Sequence, residues 1–355
     1  MPTVARREPF GQLADGRPVD RLTLERDGGM RVSVLSYGGI VLSLVVPFLD
    51  ERIDVALGFE TLAEYEADHG FIGPLIGRFA NRIARGRFTI DGVAFDLPLN
   101  DGRNHLHGGP RGFHRALWEG SVGSGEFGAT IELTHESPAL DQGYPGALQV
   151  AVTFELTDDN ALSITYGARA GAPTHVNLTW HGYLNLAGHD AGDARDHTLT
   201  LAASRFTPVD MDKIPTGEIR AVAGTAFDFR RPRSLRQGDA RGDEQLVIGN
   251  GYDHNFVIDR DAPDGLAFVA RVADPESNRW LEIHSTEPGV QLHLGQHLSG
   301  RAKGGQRYGA HSGLALETQH FPDTPNQPAF PSTLLRPGRV FRSRTVYRFG
   351  GGSTG

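Results

Sequence analysis

A single glutamate near the C-terminal end of the chain lies in a sequence context that suits acid-base chemistry. Glu317 follows the alternating apolar run 314–316, and the segment from there to Gly338 contains prolines at positions 322, 325, 328, 331 and 337. Proline fixes φ and removes a backbone donor, so such a loop keeps one shape. A general acid or base must transfer its proton in a fixed direction. The pattern predicts Glu317, at the mouth of the loop, as that group; the alternative is a solvated or capping glutamate at a strand end.

Histidines are the second chemical feature, since 15 of them occur and several lie in short polar segments between predicted strands. Segment 104–109 reads Asn-His-Leu-His-Gly-Gly, and an extended chain would point His105 and His107 to the same side. This spacing also suits a metal site, but no carboxylate follows before Glu119, so a sugar-contacting or structural pair is the favoured interpretation. Segment 173–186 contains His181 among many side chains that bond hydroxyl groups.

Two further polar segments carry charged side chains. Residues 251–257 place Asp253 beside aromatic rings, a combination typical of sugar sites, although turns use aspartate just as often. Residues 77–83 contain Arg78 and Arg82, and an arginine fork could clamp hydroxyl oxygens or form a surface ion pair. Each segment alone is a weak signal.

Strands must position these side chains, because period-2 alternation recurs along the chain and 3.6-residue apolar stripes are nearly absent. With 46 glycines and 21 prolines to form turns, the pattern predicts an all-β fold, a large antiparallel β-sandwich. One short helix is predicted at 60–68, with Thr61 as its cap and Glu64 as the reciprocal partner. The strands are predicted at 32–37, 129–133, 150–156, 162–166, 199–201, 268–272, 280–284, 290–294 and 341–349.

Composition excludes several classes of protein. The chain has 355 residues, 39% of them apolar and 22% charged, and no apolar run near the roughly 20 residues that a membrane span needs. A net charge of −8 disfavours a nucleic-acid partner, and the lack of cysteine excludes disulfides and thiolate sites. The N-terminal residues lack the apolar stretch of a secretory signal, which predicts a cytoplasmic protein. We expect one domain, residues 1–349, and a flexible glycine-rich tail, residues 350–355.

The polar segments occur in an order that resembles the aldose 1-epimerase (galactose mutarotase) family over residues 37–349. The resemblance also rests on segments 36–44 (Ser-Tyr-Gly-Gly-Ile-Val-Leu-Ser-Leu), 54–59 (Asp-Val-Ala-Leu-Gly-Phe), 287–291 (Glu-Pro-Gly-Val-Gln) and 317–326 (Glu-Thr-Gln-His-Phe-Pro-Asp-Thr-Pro-Asn). It implies a β-sandwich of the galactose-mutarotase type and an enzyme, an isomerase, that interconverts the α and β anomers of a free aldose.

The resemblance also implies roles for individual residues. Glu317 looks like the general base and His181 like the general acid, with the glutamate ionised and the histidine protonated at neutral pH. His107 resembles the family's second histidine near the ring oxygen. Arg78 and Asp253 look like the sugar-binding pair, and the expected pocket wall adds Asn81, Trp180 and Gln296. Anomer exchange needs only proton transfers, so neither a metal nor another cofactor is expected, in agreement with the lack of a P-loop or a GxGxxG segment after a strand.

Substrate and partners stay open at this level. Trp180 stands where the family usually has Asn. His293 or Leu294, and Gln296, stand in place of a family Tyr and Asn at the pocket wall, so the free monosaccharide could be a hexose or a pentose. Alternatives are an epimerase of a phosphorylated hexose, a glycoside hydrolase that uses Asp253 and Glu317, and a non-catalytic sugar-binding module of the same fold. The protein is expected to be a monomer or a homodimer.

Overall fold

The computed structural model describes residues 3–48, 51–236, 242–262 and 265–351. All nine predicted strand segments fall in or overlap observed strands, which confirms the mostly-β prediction. The described residues form thirty strands, which in chain order are β1 (Thr3–Gln12), β2 (Pro18–Arg26), β3 (Arg31–Leu35), β4 (Val41–Phe48), β5 (Glu51–Asp54), β6 (Leu75–Ile76), β7 (Arg82–Ile83), β8 (Arg87–Ile90), β9 (Val93–Asp96), β10 (His105–Leu106), β11 (Glu119–Gly125), β12 (Gly128–Ser137), β13 (Leu148–Leu156), β14 (Ala161–Ala170), β15 (Thr174–His175), β16 (Thr179–Trp180), β17 (Tyr183–Leu184), β18 (Thr198–Leu201), β19 (Arg205–Phe206), β20 (Arg220–Ala221), β21 (Arg233–Ser234), β22 (Asp253–Val257), β23 (Ala267–Ala273), β24 (Trp280–Ser285), β25 (Gly289–His293), β26 (Gly300–Arg301), β27 (Arg307–Tyr308), β28 (Leu314–Gln319), β29 (Leu334–Leu335) and β30 (Phe341–Gly350).

Two sheets dominate this arrangement. In the described residues the larger sheet has 14 strands in the order β21-β18-β23-β24-β30-β14-β13-β12-β1-β2-β3-β4-β5, with β11 paired to β12. Its ladders are antiparallel except for a single parallel pair between Thr3 and Gly128. The smaller sheet has six strands in the order β17-β28-β25-β22-β19-β20. It contains the strands that carry Asp253 and Glu317.

Helices are short and few. The predicted helix forms as α1 (Leu62–Ala67), and its capping box is present because Thr61 accepts from the Glu64 backbone while the Glu64 side chain accepts from Thr61. A second helix, α2 (Glu244–Gly249), is capped by Asp243. Single 3₁₀ turns occur at Ala84–Gly86, Phe113–Arg115, Asp141–Gly143, Ala194–Asp196, Lys303–Gly305 and Thr324–Asn326. No helix of the described chain is long and apolar enough to cross a membrane.

One apolar core joins the two sheets. It includes Val152 and Ile164 from the large sheet together with Val290 and Leu316 from the small one, all buried in the same cluster. Because period-2 alternation turns one face of each strand inward, both sheets bury that face against the other. The last strand extends to Gly350, which pairs with Trp280. The expected tail therefore does not begin at Gly350, and residues 352–355 lie outside the described residues.

Candidate active site

Glu317 lies within a strand and not at the mouth of a loop. It is the fourth residue of β28, in which all six residues are buried, and it pairs with Gln291 of β25. The prediction of a proline-held loop position was wrong, since the proline-rich segment begins only after Gln319. The ladder with β25 holds the glutamate instead, while β17 pairs with the start of β28 at Leu314 and Ala315. A central strand position fixes the carboxylate more firmly than a loop would.

His181 faces Glu317. It follows β16 directly, and its backbone is tied to the opposite segment by the bonds His181 N–H to Pro74 O, 2.9 Å, and Gly73 N–H to His181 O, 3.0 Å. Its Nε2 lies 3.5 Å from Glu317 Oε1, and both side chains are almost entirely buried. Among the described residues, His181 Nδ1 and Glu317 Oε2 are buried with no hydrogen-bond partner. The pair therefore keeps polar atoms available for a further ligand.

His107 completes a trio with His181 and Glu317. One ring nitrogen or carboxylate oxygen from each residue lies within 4.8 Å of the others, and all three residues are buried. Two histidines and a glutamate are also the ligand set of some catalytic zinc sites. The trio is thus the group of described residues that could hold a metal ion as well as an acid-base constellation.

A small cavity of about 210 Å³ surrounds the trio. Pockets for drug-sized ligands typically occupy roughly 300–1,000 Å³, so this one suits a ligand of monosaccharide size. A larger groove of about 720 Å³ lies on the large sheet around Gln149 and Arg169, but it does not include the trio. The small cavity is lined by His69, Phe71, Asn81, Arg82, Leu106, His107, His181, Lys213, Asp253, His293, His297 and Glu317.

Asp253 is the charged centre of one cavity wall. Lys213 Nζ lies 3.0 Å from its Oδ2, Gln291 Nε2 donates to its Oδ1 at 2.8 Å, and His293 Nδ1 lies 3.7 Å from Oδ1. Burial raises the pKa of Asp253, but the positive charges of His293, Arg82 and Lys213 outweigh burial and lower that pKa below its usual range. Asp253 is therefore an ionised acceptor for hydroxyl groups.

Burial shifts the pKa values of Glu317 and His181 in opposite directions. It raises the pKa of Glu317 well above its usual value, with the nearby Asp253 charge adding to the effect, and it lowers the pKa of His181 to about 3. Both directions arise because a dry site disfavours either ion. Both shifts favour the neutral side chains over the ion pair. The directions run against the ionised glutamate and protonated histidine that the acid-base roles require, so the reactive form must be reached by moving a proton within the pair.

Arg78 lies outside the cavity, contrary to its expected place in the sugar-binding pair. Its buried guanidinium donates to Pro145 O, Gly146 O and Pro138 O and to both oxygens of Ser137, at 2.7 to 3.2 Å. Arginine offers five donors, and oxygens of the segment between β12 and β13 accept hydrogen bonds from both terminal nitrogens of Arg78. Arg82 lines the cavity instead, with its Nε bonded to Asp101 Oδ2 at 2.7 Å.

Replacing Arg78 with methionine should lower the free energy of unfolding by about 3 kcal/mol or more, because each buried carbonyl left without a donor costs about 1–3 kcal/mol. Urea unfolding measures this change. The matched control is Arg336→Met, which removes an arginine from the exposed ion pair with Asp91 and should change stability by no more than about 0.5 kcal/mol. A stable Arg78→Met protein with strongly raised KM would show a sugar-binding role instead.

Trp180 and Gln296 are also placed away from the cavity lining. Trp180 belongs to the core cluster, where its Nε1 donates to Gly73 O at 2.9 Å and its ring packs edge-on against Tyr347. Gln296 donates to Tyr252 O at 2.8 Å, directly before Asp253. Both residues therefore support neighbouring segments. Asn81 and Asp253, by contrast, line the cavity together with the trio.

Several lining residues were missed by sequence reasoning. Arg82 stands in the same polar segment as Arg78, so the segment was identified but the wrong arginine was chosen. Lys213, His69 and His297 come from loops without a recognisable pattern. Phe71 gave no signal either, although its ring lies 4.7 Å from that of His107 and stacks 6.0 Å from that of His181.

Comparisons with known proteins show the family to which the chain belongs. The family model described as Aldose 1-epimerase matches residues 20–348. Galactose mutarotase from Sus scrofa is 43% identical over 347 residues, 97% of this chain and 98% of the relative. Aldose 1-epimerase from Escherichia coli K12 is 38% identical over 339 residues, 94% of this chain and 96% of the relative.

A solved structure extends the likeness to the fold. Galactose 1-epimerase from Lactobacillus acidophilus superposes with a TM-score of 0.86 at 27% identity and covers 99% of both chains. An aldose epimerase homologue from C. elegans gives a TM-score of 0.85 at 29% identity, over 99% of this chain and all of the other. The chain belongs to the aldose 1-epimerase family and is an isomerase of the mutarotase type.

Proposed function

We propose that Glu317 and His181 are the acid-base pair of the mutarotase reaction in this protein. The observation that supports this most directly is the 3.5 Å separation of His181 Nε2 and Glu317 Oε1 inside a cavity of monosaccharide size. Proton transfer by a positioned side chain requires this kind of approach to a reacting group. His107 supplies a third polar group at the same place.

The reaction then follows from proton balance. Glu317 takes the proton of the anomeric hydroxyl while His181 gives one to the ring oxygen, the bond between C1 and the ring oxygen breaks, and an open-chain aldehyde forms. Rotation about C1–C2 exposes the other face of the carbonyl, and ring closure reverses both transfers. The pair carries one proton in total throughout. Moving that proton from Glu317 to His181 converts a neutral pair into the reactive ionised pair without change in net charge.

We propose a free aldohexose as the substrate, with galactose first because the relatives from Sus scrofa and Rattus norvegicus are named galactose mutarotase. Asp253, Asn81, Arg82 and Lys213 present acceptors and donors for the ring hydroxyls along the cavity wall. Phe71 supplies an aromatic face beside the trio. An apolar face with convergent polar groups is typical of sugar sites.

Polarimetry tests the proposal. Freshly dissolved α-galactose, α-glucose and α-xylose should approach anomeric equilibrium faster with the protein, and galactose should give the highest kcat/KM. Acceleration of xylose alone would replace the hexose by a pentose. Binding of galactose without acceleration of any of these sugars would favour the non-catalytic binding module.

Two broader proposals accompany the function. We propose that residues 1–349 form a single domain, since one core cluster takes in residues from Leu22 to Phe349. We also propose a cytoplasmic location, supported by a cysteine-free composition that fits a reducing compartment.

The pH profile of kcat/KM should be a wide bell, because burial disfavours both the doubly protonated and the fully deprotonated pair. Activity should fall at low pH only where His181 becomes protonated while Glu317 also holds a proton. This happens near the lowered His181 pKa of about 3. It should fall at high pH as the pair loses its proton, above the usual range of a glutamate because the pKa of Glu317 is raised. Polarimetry corrected for uncatalysed mutarotation measures the profile, and circular dichroism checks that the protein stays folded. Loss of activity around pH 6.5 in the folded protein would contradict this assignment.

A further inference from the structure

Asn81 and His107 face each other in an unusual backbone arrangement. They lie opposite each other at one end of the short ladder between β7 and β10, in which Ile83 pairs with His105 and Arg82 with Leu106, so Asn81 precedes β7 and His107 follows β10. Both have left-handed backbone conformations, φ +66° for Asn81 and +51° for His107. Such conformations are uncommon outside glycine, and strained backbone tends to collect at functional sites. Two of them opposite each other, beside the acid-base pair, call for a functional explanation.

The hydrogen bonds of this pair provide the explanation. The His107 N–H donates to Asn81 O at 3.1 Å, as in an ordinary ladder. The Asn81 N–H does not return to a backbone oxygen and donates instead to the imidazole Nδ1 of His107, also at 3.1 Å. A ring nitrogen that accepts a hydrogen bond cannot carry the ring proton of a neutral imidazole. The proton of His107 must then be on Nε2.

We infer that Asn81 is a positioning residue whose backbone N–H locks His107 in the Nε2–H form. His107 then acts in the reaction as a fixed hydrogen-bond donor to a substrate oxygen and not as a proton carrier. His181 differs in this respect, because its Nδ1 has no hydrogen-bond partner among the described residues that would fix the position of the ring proton. The two histidines of the trio therefore have different tasks.

The same bond bears on the trio's resemblance to a zinc site. With Nδ1 of His107 accepting from the Asn81 N–H, a metal ion could bind this imidazole only through Nε2. Coordination needs an unprotonated ring nitrogen, and the Asn81 bond leaves that nitrogen protonated. The arrangement thus favours a sugar oxygen over a divalent cation, although the residue types alone suit either.

Nitrogen-15 NMR of the wild-type protein tests the inference directly. Long-range ¹H–¹⁵N correlations should show His107 neutral at pH 7, with an unprotonated Nδ1 and a protonated Nε2, and these signals should not change on addition of Zn²⁺. Loss of one signal set in the His107→Gln variant assigns the residue. A protonated Nδ1, an imidazolium, or Zn²⁺-induced shifts of these signals would overturn the inference.

Two variants of His107 test its task in the reaction. The amide nitrogen of glutamine can take the place of Nε2–H, whereas that of asparagine reaches only the position of Nδ1. His107→Gln should therefore keep kcat within about tenfold of wild type, and His107→Asn should lose about 10²–10³-fold, the usual effect of removing one fixed donor. Equal losses in both variants would overturn the donor role.

Asn81 variants separate positioning from simple structure. Asn81→Gly retains the N–H and tolerates positive φ, so the ¹⁵N signature of His107 should persist even if KM changes. Asn81→Val cannot adopt this φ without strain, and the signature should become a mixture of the two neutral forms. The kcat values expected for the His107 variants rest on the proposed function. The tautomer of His107 seen by NMR does not, and it stands even if Glu317 and His181 have other roles.

Discussion

The Glu317→Gln variant should lose about 10³–10⁴-fold in kcat, because an amide of the same shape can neither take nor give the proton at the anomeric hydroxyl. The loss should appear in kcat and kcat/KM alike, since the carboxylate is needed in the transition state more than for holding the sugar. Galactose affinity, measured by calorimetry, should change little. Polarimetry with high enzyme concentration measures the residual rate.

Stability should move in the opposite direction to activity. Burial raises the pKa of Glu317 in the folded state, so the folded protein binds more protons than the unfolded chain above the unfolded pKa, and stability falls there as pH rises. A neutral glutamine removes this loss. Glu317→Gln should consequently be at least as stable as wild type at pH 8 in urea unfolding.

The matched control for Glu317 is Glu287→Gln. Glu287 is equally buried, but its Oε2 lies 2.6 Å from His320 Nδ1 and it does not line the cavity. This control should lose stability and keep kcat within a few-fold of wild type. A fully active Glu317→Gln protein, or one inactive only because it is unfolded, would remove Glu317 from the proposed mechanism.

The sequence allowed the fold to be predicted because strand signals are local. Alternation of the kind seen in 162–166 marks a half-buried strand wherever it occurs, and β14 covers that segment. The capping box of α1 was readable for the same reason, since Thr61 and Glu64 are three residues apart. Sheet order was not predictable, because neighbours such as β1 and β12 are separated by more than one hundred residues.

Prediction of the site was less complete, and the reason is again physical. Arg78 and Arg82 lie in one polar segment, and composition alone cannot decide which guanidinium meets the cavity and which meets the carbonyls of a buried turn. Burial also alters the protonation expected from free side chains, as the raised pKa of Glu317 shows. Lys213 reaches Asp253 across 40 residues of chain, a contact that only the folded molecule reveals.

The strained pair at the cavity illustrates how local rules fail at functional positions. A left-handed conformation is readable from sequence at many glycines, but only a few per cent of other residues adopt it, so its occurrence at His107 was not predictable. The energetic cost of this conformation is tolerated because the His107 imidazole accepts the hydrogen bond of the Asn81 N–H in place of a backbone oxygen. Disagreement between residue type and backbone conformation is what one expects where chemistry competes with folding.

Replacing His181 with asparagine should reduce kcat by about 10²–10³-fold, because the ring oxygen then lacks a proton donor as the C1 bond breaks. The acid limb near pH 3 should disappear from the residual profile, since it belongs to the titration of this imidazole. His175→Asn is the control, because His175 is buried and bonded to Thr333 Oγ1 at 2.8 Å but does not line the cavity. It should affect stability and leave kcat nearly unchanged.

Combining His181→Asn with Glu317→Gln gives the sharper test of the pair. Two groups that share one proton act as a unit, so the effects of removing them should be far from additive. The double variant should be no more than about tenfold slower than Glu317→Gln alone, whereas independent groups would multiply to roughly 10⁵–10⁷-fold on the same per-group factors. A multiplicative loss in a folded double variant would show that His181 and Glu317 serve separate steps, and the single-proton mechanism would then be untenable.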